Sequence, residues 1–260
     1  MNPEKIQQYG DELYQSFLDR MPVTPLTERE AGIGIDDAYR IQLRMVQRRL
    51  DQGETVIGKK IGVTSKAVQE MLQVYQPDFG QMLSAMVYSE GEEIPLNTLI
   101  APRAEAEVAF VLKRDLDGPG VTAADVLRAT DFVLPCFEIV DSRIKNWKIK
   151  IQDTIADNAS CGVFVLGGTA RSLRGLDLSI AGMVVEKNGD IVSTSAGAAV
   201  QGSPVNAVAW LANTLGRLGI PLKAGEVILS GSQSPLMPVV AGDAFTCSVG
   251  GVGTCAIRFS

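Results

Sequence analysis

From residue 132 to the C-terminus, the sequence is a succession of short apolar runs that have the length of β-strands. Asn188-Gly189, between two of these runs, is the dipeptide of a tight type I′ hairpin. One convincing helix interrupts the series, opening at Ser203-Pro204 and ending near Leu218. Strands and helices therefore do not alternate regularly, which disfavours a βαβ nucleotide-binding fold. The predicted strands are 132–140, 161–168, 182–187, 190–195, 226–232, 244–250 and 254–260.

The first part of the chain is predicted to be mainly helical. One apolar face has the spacing of a helix, and a second helix is predicted from Asp36 or Asp37 to Leu50. A strand follows from residue 54, then a short helix over 65–72 and a loop over 74–80, where Pro and Gly occur. We expect residues 1–75 to form an N-terminal helical region packed on a β-rich catalytic domain, 76–260. The face of the first helix consists of Ile6, Tyr9, Leu13 and Phe17.

Length and charge limit the classes of function. A chain of 260 residues is long enough for one large domain with a sizeable core. Its 24 Lys+Arg and 30 Asp+Glu give a net charge of −6, and no basic cluster marks a nucleic-acid surface. No apolar run approaches the roughly 20 residues that span a bilayer, and the first residues lack a signal-peptide pattern. We expect a cytoplasmic protein that binds neither nucleic acid nor membranes.

The sequence contains no histidine, which removes the commonest general base near neutral pH and a frequent metal ligand. Catalysis by Ser or Cys through His is excluded, as are zinc sites built on His. If the chain is an enzyme, carboxylates, lysine and a metal ion must carry the chemistry. The four cysteines lie in apolar strand-like sequence without C-x-x-C spacing, so they are predicted to be buried free thiols.

Two carboxylates, Glu105 and Glu107, interrupt an apolar run that is predicted to be a strand over 104–112. Alternate residues of a strand share a face, so these like charges lie side by side. A hard divalent cation resolves the repulsion; a wet edge strand with Arg103 as an ion-pair partner is an equally good explanation of this pair. Glu138, in another apolar segment, shifts the balance toward a three-carboxylate site for Mg²⁺ or Mn²⁺.

Other polar residues are weaker candidates for a catalytic or ligand-binding role. Of the adjacent Lys59 and Lys60, one is expected to face inward, where burial would lower its pKa and suit it to proton exchange; a solvated pair is the commoner alternative. Asp78 beside Pro and Gly is typical of a turn. Ser160 lies in the polar run 153–162 and is a candidate hydrogen-bond donor to a ligand, although such residues more often form ordinary turns.

Several blocks, taken together and in order, resemble the 2-oxopent-4-enoate hydratases (2-hydroxypenta-2,4-dienoate hydratases) of bacterial aromatic meta-cleavage pathways. These belong to the hydratase/decarboxylase branch of the fumarylacetoacetate hydrolase superfamily. The likeness covers nearly the whole chain. The blocks are GKKIGVTSKAVQ, QPDFG, PRAEAEVAFVL, EIVDSRI, DTIADNASCG, GSPVNAVAWLANTLG and AGEVILSG.

This resemblance implies an α+β fold, a mixed β-sandwich roll with flanking helices and a small helical N-terminal region. It implies Mg²⁺ or Mn²⁺ held by Glu105, Glu107 and Glu138. It assigns proton transfer to Lys60 and Asp78 and substrate contact to Ser160. The resemblance also implies a homo-oligomer and a complex with 4-oxalocrotonate decarboxylase.

The activity that the resemblance implies is the addition of water to 2-hydroxypenta-2,4-dienoate, giving 4-hydroxy-2-oxopentanoate. A close alternative is 4-oxalocrotonate decarboxylase itself, which generally lacks the aspartate of the QPDFG-like loop, so Asp78 favours hydration. An alternative of another class is a non-catalytic subunit that binds the decarboxylase. Such a decayed protein is not expected to retain the whole set of site residues.

Overall fold

The computed structural model describes residues 1–65, 69–70, 74 and 76–260. Most of the helix predicted over 65–72 lies outside these residues. The predicted N-terminal helix and the helices predicted from residue 36 or 37 to 50 and from 203 to about 218 are confirmed. A further helix follows Thr122, whose side chain caps its first turn. In the described ranges the α-helices are α1 (Pro3–Asp19), α2 (Leu26–Arg29), α3 (Ile35–Leu50), α4 (Ala123–Ala129), α5 (Ile151–Ala156) and α6 (Pro204–Gly216).

The strands form two sheets, which confirms the α+β class and the sandwich architecture. The large sheet has the order β2-β1-β10-β5-β6-β7-β3, with β11 pairing on β5, and the small sheet has the order β4-β13-β12-β8-β9. The strands are β1 (Val56–Gly62), β2 (Asp78–Leu83), β3 (Val87–Tyr88), β4 (Glu93–Ile94), β5 (Arg103–Leu112), β6 (Thr130–Val140), β7 (Cys161–Leu166), β8 (Gly182–Lys187), β9 (Asp190–Ala196), β10 (Val227–Leu229), β11 (Met237–Pro238), β12 (Ala244–Val249) and β13 (Gly253–Phe259).

The main core lies between the two sheets. Phe137 of β6 meets Phe245 of β12 edge to face, with ring centroids 6.2 Å apart, and Phe245 contacts Phe259 of β13 in the same way. Successive strand residues point to opposite faces, so Glu138, next to Phe137, points away from the small sheet. Glu138 therefore lies on the outer face of the large sheet.

The N-terminal helices cover part of this outer face. Leu13 of α1 and Ile41 of α3 are fully buried, in one apolar cluster with Ile155 of α5. Strand β1, within the stretch predicted as mainly helical, pairs in parallel with β10 and antiparallel with β2. The first part of the chain thus contributes a strand to the large sheet. The division of the chain at residue 75 stays a prediction.

The prediction of a loop over 74–80 is wrong for its last three residues. Strand β2 begins at Asp78, and Asp78 and Gly80 lie opposite Gly62 and Lys60 of β1. Gly80 has a packing role rather than a turn role, since a Cβ there would lie 2.4 Å from the carbonyl oxygen of Asn158. Pro and Gly are typical of turns, and a sequence does not show which distant backbone packs against a glycine.

Smaller predictions are also confirmed. Asn188 and Gly189 have φ angles of 54° and 92°, as a type I′ turn between β8 and β9 requires. All four cysteines are buried free thiols. Within the described part of the chain, no helix combines the length and the apolar character needed to cross a membrane.

Candidate active site

Three glutamates converge on the outer face of the large sheet. The register of the antiparallel pair β5–β6 places Glu105 directly opposite Glu138, and Glu107 lies two residues further along β5. One carboxylate oxygen from each of the three lies within 4.8 Å of the others. The sequence placed Glu105 and Glu107 on one face; the strand pairing brings Glu138 to them.

Burial and mutual repulsion make this cluster unfavourable for three ionised acids. Burial, followed by the charge of Glu138, raises the pKa of Glu105 to about 8 and also raises the pKa of Glu107. Glu107 Oε2 accepts a hydrogen bond from the Gly231 amide at 2.8 Å. Glu107 Oε1 and Glu138 Oε2 are buried and have no hydrogen-bond partner among the described residues. Oxygen donors with unused lone pairs and excess negative charge fit a divalent cation.

Lys60 is the cationic group of the site. Its Nζ lies 3.1 Å from Glu138 Oε1, and the side chain is buried. The sequence predicted a lowered pKa, and this is wrong: burial alone lowers the pKa of Lys60, but the carboxylates of Glu138 and Asp78 outweigh it, so the pKa is raised. Without a metal ion, Lys60 is therefore an ammonium group.

Lys59 is buried too, on the opposite face of β1, where it forms an ion pair with Glu226. One inward-facing lysine was expected, and both lysines of this pair are inside. A solvated pair is excluded.

Asp78 lies beside Lys60 because β1 and β2 pair at this point. Asp78 is opposite Gly62, and a Cβ at Gly62 would lie only 2.2 Å from Asp78 Oδ1 and 3.4 Å from Lys60 Nζ. Only glycine leaves room for the carboxylate here. Burial raises the pKa of Asp78, and the charge of Lys60 opposes that rise.

Ser160 is connected to Asp78 by the hydroxyl of a threonine that lies between them. Thr154 Oγ1 donates a hydrogen bond to Asp78 Oδ2 at 3.4 Å and lies 3.3 Å from Ser160 Oγ. The described structure therefore brings all six predicted residues to one region of the sheet. Thr154 was not singled out from the sequence, although it belongs to the polar run 153–162. Its residue type is common in turns, so the run gave no signal specific to position 154.

The backbone that carries Ser160 has an unusual conformation. Asn158, Ala159 and Ser160 have φ angles of 54°, 51° and 52°, a left-handed region that L-residues seldom occupy in succession. The side chain of Asn158 exchanges two hydrogen bonds with the backbone of Gln81, each 2.8 Å. Such strain persists only where surrounding contacts fix it, and it is concentrated at functional sites.

A buried ion pair holds this left-handed segment from both ends. Arg143 pairs with the carboxylate of Asp157, donates to the Asp157 carbonyl at 2.6 Å and donates to the Cys161 carbonyl at 3.0 Å. Burial raises the pKa of Asp157 to about 6, although the guanidinium of Arg143 opposes the rise. No sequence pattern indicates this role for Arg143, because its partners lie 14 and 18 residues further along the chain.

Comparison with known proteins adds to this geometry. The model of the fumarylacetoacetate (FAA) hydrolase C-terminal domain matches residues 55–260. The chain belongs to the fumarylacetoacetate hydrolase family. It is 65% identical over 221 residues to 2-hydroxypent-2,4-dienoate hydratase from Pseudomonas putida, covering 85% of this chain and 100% of that protein. It is 56% identical to 2-hydroxyhexa-2,4-dienoate hydratase from Comamonas testosteroni, covering 98% and 97% of the two chains.

A solved structure of the same family has nearly the same fold. The 4-oxalocrotonate decarboxylase from Pseudomonas putida G7, complexed with magnesium and adipate, superposes with a TM-score of 0.96 at 34% identity. The match covers 100% of this chain and 99% of that chain. The predicted fumarylacetoacetate hydrolase-like fold is confirmed, and the acidic cluster is consistent with a divalent metal site of this family.

Proposed function

We propose that this protein is a metal-dependent hydratase that adds water to 2-hydroxypenta-2,4-dienoate, giving 4-hydroxy-2-oxopentanoate, in aromatic meta-cleavage catabolism. The observation that carries the proposal is the convergence of three carboxylates on one sheet face beside Lys60 and Asp78. The names of the two hydratases, which are 65% and 56% identical to this chain, support the choice of substrate class.

Glu105, Glu107 and Glu138 are proposed to hold Mg²⁺ or Mn²⁺, because together they offer three carboxylate oxygens, the ligands that these hard cations prefer. When bound, the ion supplies positive charge that stabilises the enolate formed from the dienoate. The charge of the ion also relieves the repulsion that raises the pKa values of the glutamates.

Hydration of the dienoate needs proton transfers to carbon and from water, and the chain supplies two groups for them. Lys60 is proposed as the first, because its buried Nζ lies 3.1 Å from Glu138 Oε1, within the acidic cluster. The second is Asp78, whose pKa is raised by burial, and a carboxylate with a raised pKa is suited to exchanging protons. Ser160 is proposed to contact the substrate, on the evidence of its position next to Thr154 and Asp78.

A second candidate activity is decarboxylation of 4-oxalocrotonate, since the decarboxylase has nearly the same fold. Asp78 in the QPDFG block favours hydration over this reaction. A non-catalytic subunit that binds the decarboxylase is disfavoured because the six site residues are all present and close together. Self-association and a complex with a decarboxylase are also proposed, from the family resemblance.

The test is an assay of the purified protein with 2-hydroxypenta-2,4-dienoate, with and without Mg²⁺ or Mn²⁺, and a parallel assay with 4-oxalocrotonate. We expect metal-dependent loss of the dienoate and formation of 4-hydroxy-2-oxopentanoate. Release of CO₂ from 4-oxalocrotonate without hydration of the dienoate would identify the decarboxylase instead. Turnover of neither compound, together with co-purification with a decarboxylase, would favour the non-catalytic subunit.

A further inference from the structure

Thr154 lies between two residues to which the proposed function gives roles. Its hydroxyl donates to Asp78 Oδ2 at 3.4 Å and lies 3.3 Å from Ser160 Oγ. The residue is 5% exposed, so these two neighbours account for its polar group in the interior. Both contacts are at the long end of hydrogen-bond distances, as is common in substrate-free active sites.

The number of hydrogens on the Thr154 hydroxyl and the Asp78 carboxylate determines which group donates in each hydrogen bond of the series Ser160–Thr154–Asp78. A hydroxyl carries one hydrogen, and an ionised carboxylate only accepts. While Asp78 is ionised, the single hydrogen of Thr154 points to Asp78, so Ser160 must be the donor in its contact with Thr154. Ser160 Oγ then offers only lone pairs to any molecule beside it. A water molecule held there would donate one of its hydrogens to Ser160.

The position of Thr154 is fixed by hydrogen bonds that neighbouring residues form outside the series Ser160–Thr154–Asp78. Gln42 of α3 donates from Nε2 to the carbonyls of Phe79 and Ile155, at 2.8 and 3.0 Å. Phe79 directly follows Asp78, and Ile155 directly follows Thr154. The side-chain amide of Gln42 therefore fixes the distance between strand β2 and helix α5. At the start of α5, Asp153 accepts from the backbone amide and the hydroxyl of Thr27, at 3.0 and 2.7 Å.

We propose that Thr154 is a positioning residue, which orders the Asp78 carboxylate and the Ser160 hydroxyl through a directed chain of hydrogen bonds. This inference rests on the proposed hydratase function and deepens it. It assigns Ser160 the part of a hydrogen-bond acceptor toward the attacking water, and it gives the hydroxyl of Thr154, rather than its methyl group, the essential role.

The test compares Thr154→Val, which keeps the shape and removes the hydroxyl, with Thr154→Ser, which keeps the hydroxyl. On 2-hydroxypenta-2,4-dienoate, we expect Thr154→Val to lower kcat by about 10- to 100-fold, the usual effect of losing an orienting partner, with a smaller change in KM. Thr154→Ser should restore most of kcat. Mn²⁺ affinity should be unchanged in both, since the hydrogen bonds of the Thr154 hydroxyl in the described structure go to Asp78 and Ser160 and not to the three glutamates. Thr154→Ala replaces Thr154→Val if the latter does not fold.

A double variant separates positioning from general packing. If Thr154 acts through Ser160, Thr154→Val should lower kcat much less in a Ser160→Ala background than in the wild type. Equal losses in both backgrounds, equal kcat in Thr154→Val and wild type, or equal losses in Thr154→Val and Thr154→Ser would overturn the inference. Those outcomes leave the hydratase proposal intact if the wild type hydrates the dienoate; an inactive wild type removes both.

Discussion

The two faces of strand β1 differ at adjacent lysines. Lys59 is paired with Glu226, whose second oxygen accepts a hydrogen bond from the Lys223 amide at 2.8 Å. Lys60, on the other face, is paired with Glu138, and three further acids lie in the same region. Both lysines are buried to the same extent, 3% exposed. The first face has one acid for one lysine, and the second has four acids for one lysine.

The contrast shows that burial of charge does not by itself indicate a functional site. The Lys59–Glu226 pair balances its own charge, and such pairs fit a structural role. The cluster around Lys60 has three more acids than cations and buried carboxylate oxygens without partners in the described structure. An imbalance of this kind persists only when a ligand, a metal or bound protons complete it.

The largest difference between the two faces is expected from removing each ammonium group in turn. Lys60→Met should lower turnover of the dienoate by about a thousandfold, because a general acid–base group is lost. Lys59→Met should keep turnover per folded molecule but lower the free energy of unfolding by about 3 kcal/mol, because Glu226 is left buried without its partner. Steady-state kinetics and denaturant unfolding of both variants measure these effects. Similar kinetic losses in both variants would contradict the distinction.

A second comparison removes one carboxylate charge from each face. Glu107→Gln should weaken Mn²⁺ binding and lower metal-dependent turnover by at least about 100-fold, because a proposed ligand is lost. Glu226→Gln is the matched control, with the same chemical change on the opposite face, and should leave Mn²⁺ affinity unchanged. Metal titration by calorimetry or electron paramagnetic resonance gives both affinities. Unchanged Mn²⁺ binding in Glu107→Gln would leave the metal assignment unsupported.

The smallest expected effect is a pH dependence of stability to which the acidic face contributes. The pKa of Glu105 is about 8 in the folded protein and near 4.5 in an unfolded chain, so the folded state binds more protons between these values. The stability of the metal-free protein should therefore fall as pH rises from about 5 to about 8.

Metal ions should offset this loss. We expect the increase in Tm on adding Mg²⁺ to be larger near pH 8 than near pH 6, because protons compete with the ion at low pH. Thermal unfolding with a chelator and with excess Mg²⁺, at both pH values, measures the difference. Glu107→Gln should reduce the increase at each pH, whereas an increase independent of pH would contradict the assignment.

The local sequence pattern was sufficient to predict many of the helices, strands and turns of the fold. The spacing of Leu13 and its neighbours predicted α1, and Asn188-Gly189 predicted the β8–β9 turn. These features depend on residues close in sequence. Local pattern does not predict strand β2, because Gly80 is typical of a turn. The backbone of Asn158, whose approach requires a glycine there, lies 78 residues further along the chain. The burial of both lysines of β1 likewise depends on the elements that cover its two faces.

By itself, the sequence determined that Glu105 and Glu107 share a strand face and that no histidine takes part, since strand periodicity and composition are local properties. The tertiary structure decided that Glu138 lies opposite Glu105, that nearby carboxylates raise the pKa of Lys60 and that Thr154 joins Asp78 to Ser160. These depend on strand register and on helix α5 packing against β2. Register and packing are set by contacts between residues distant in sequence, which periodicity does not encode.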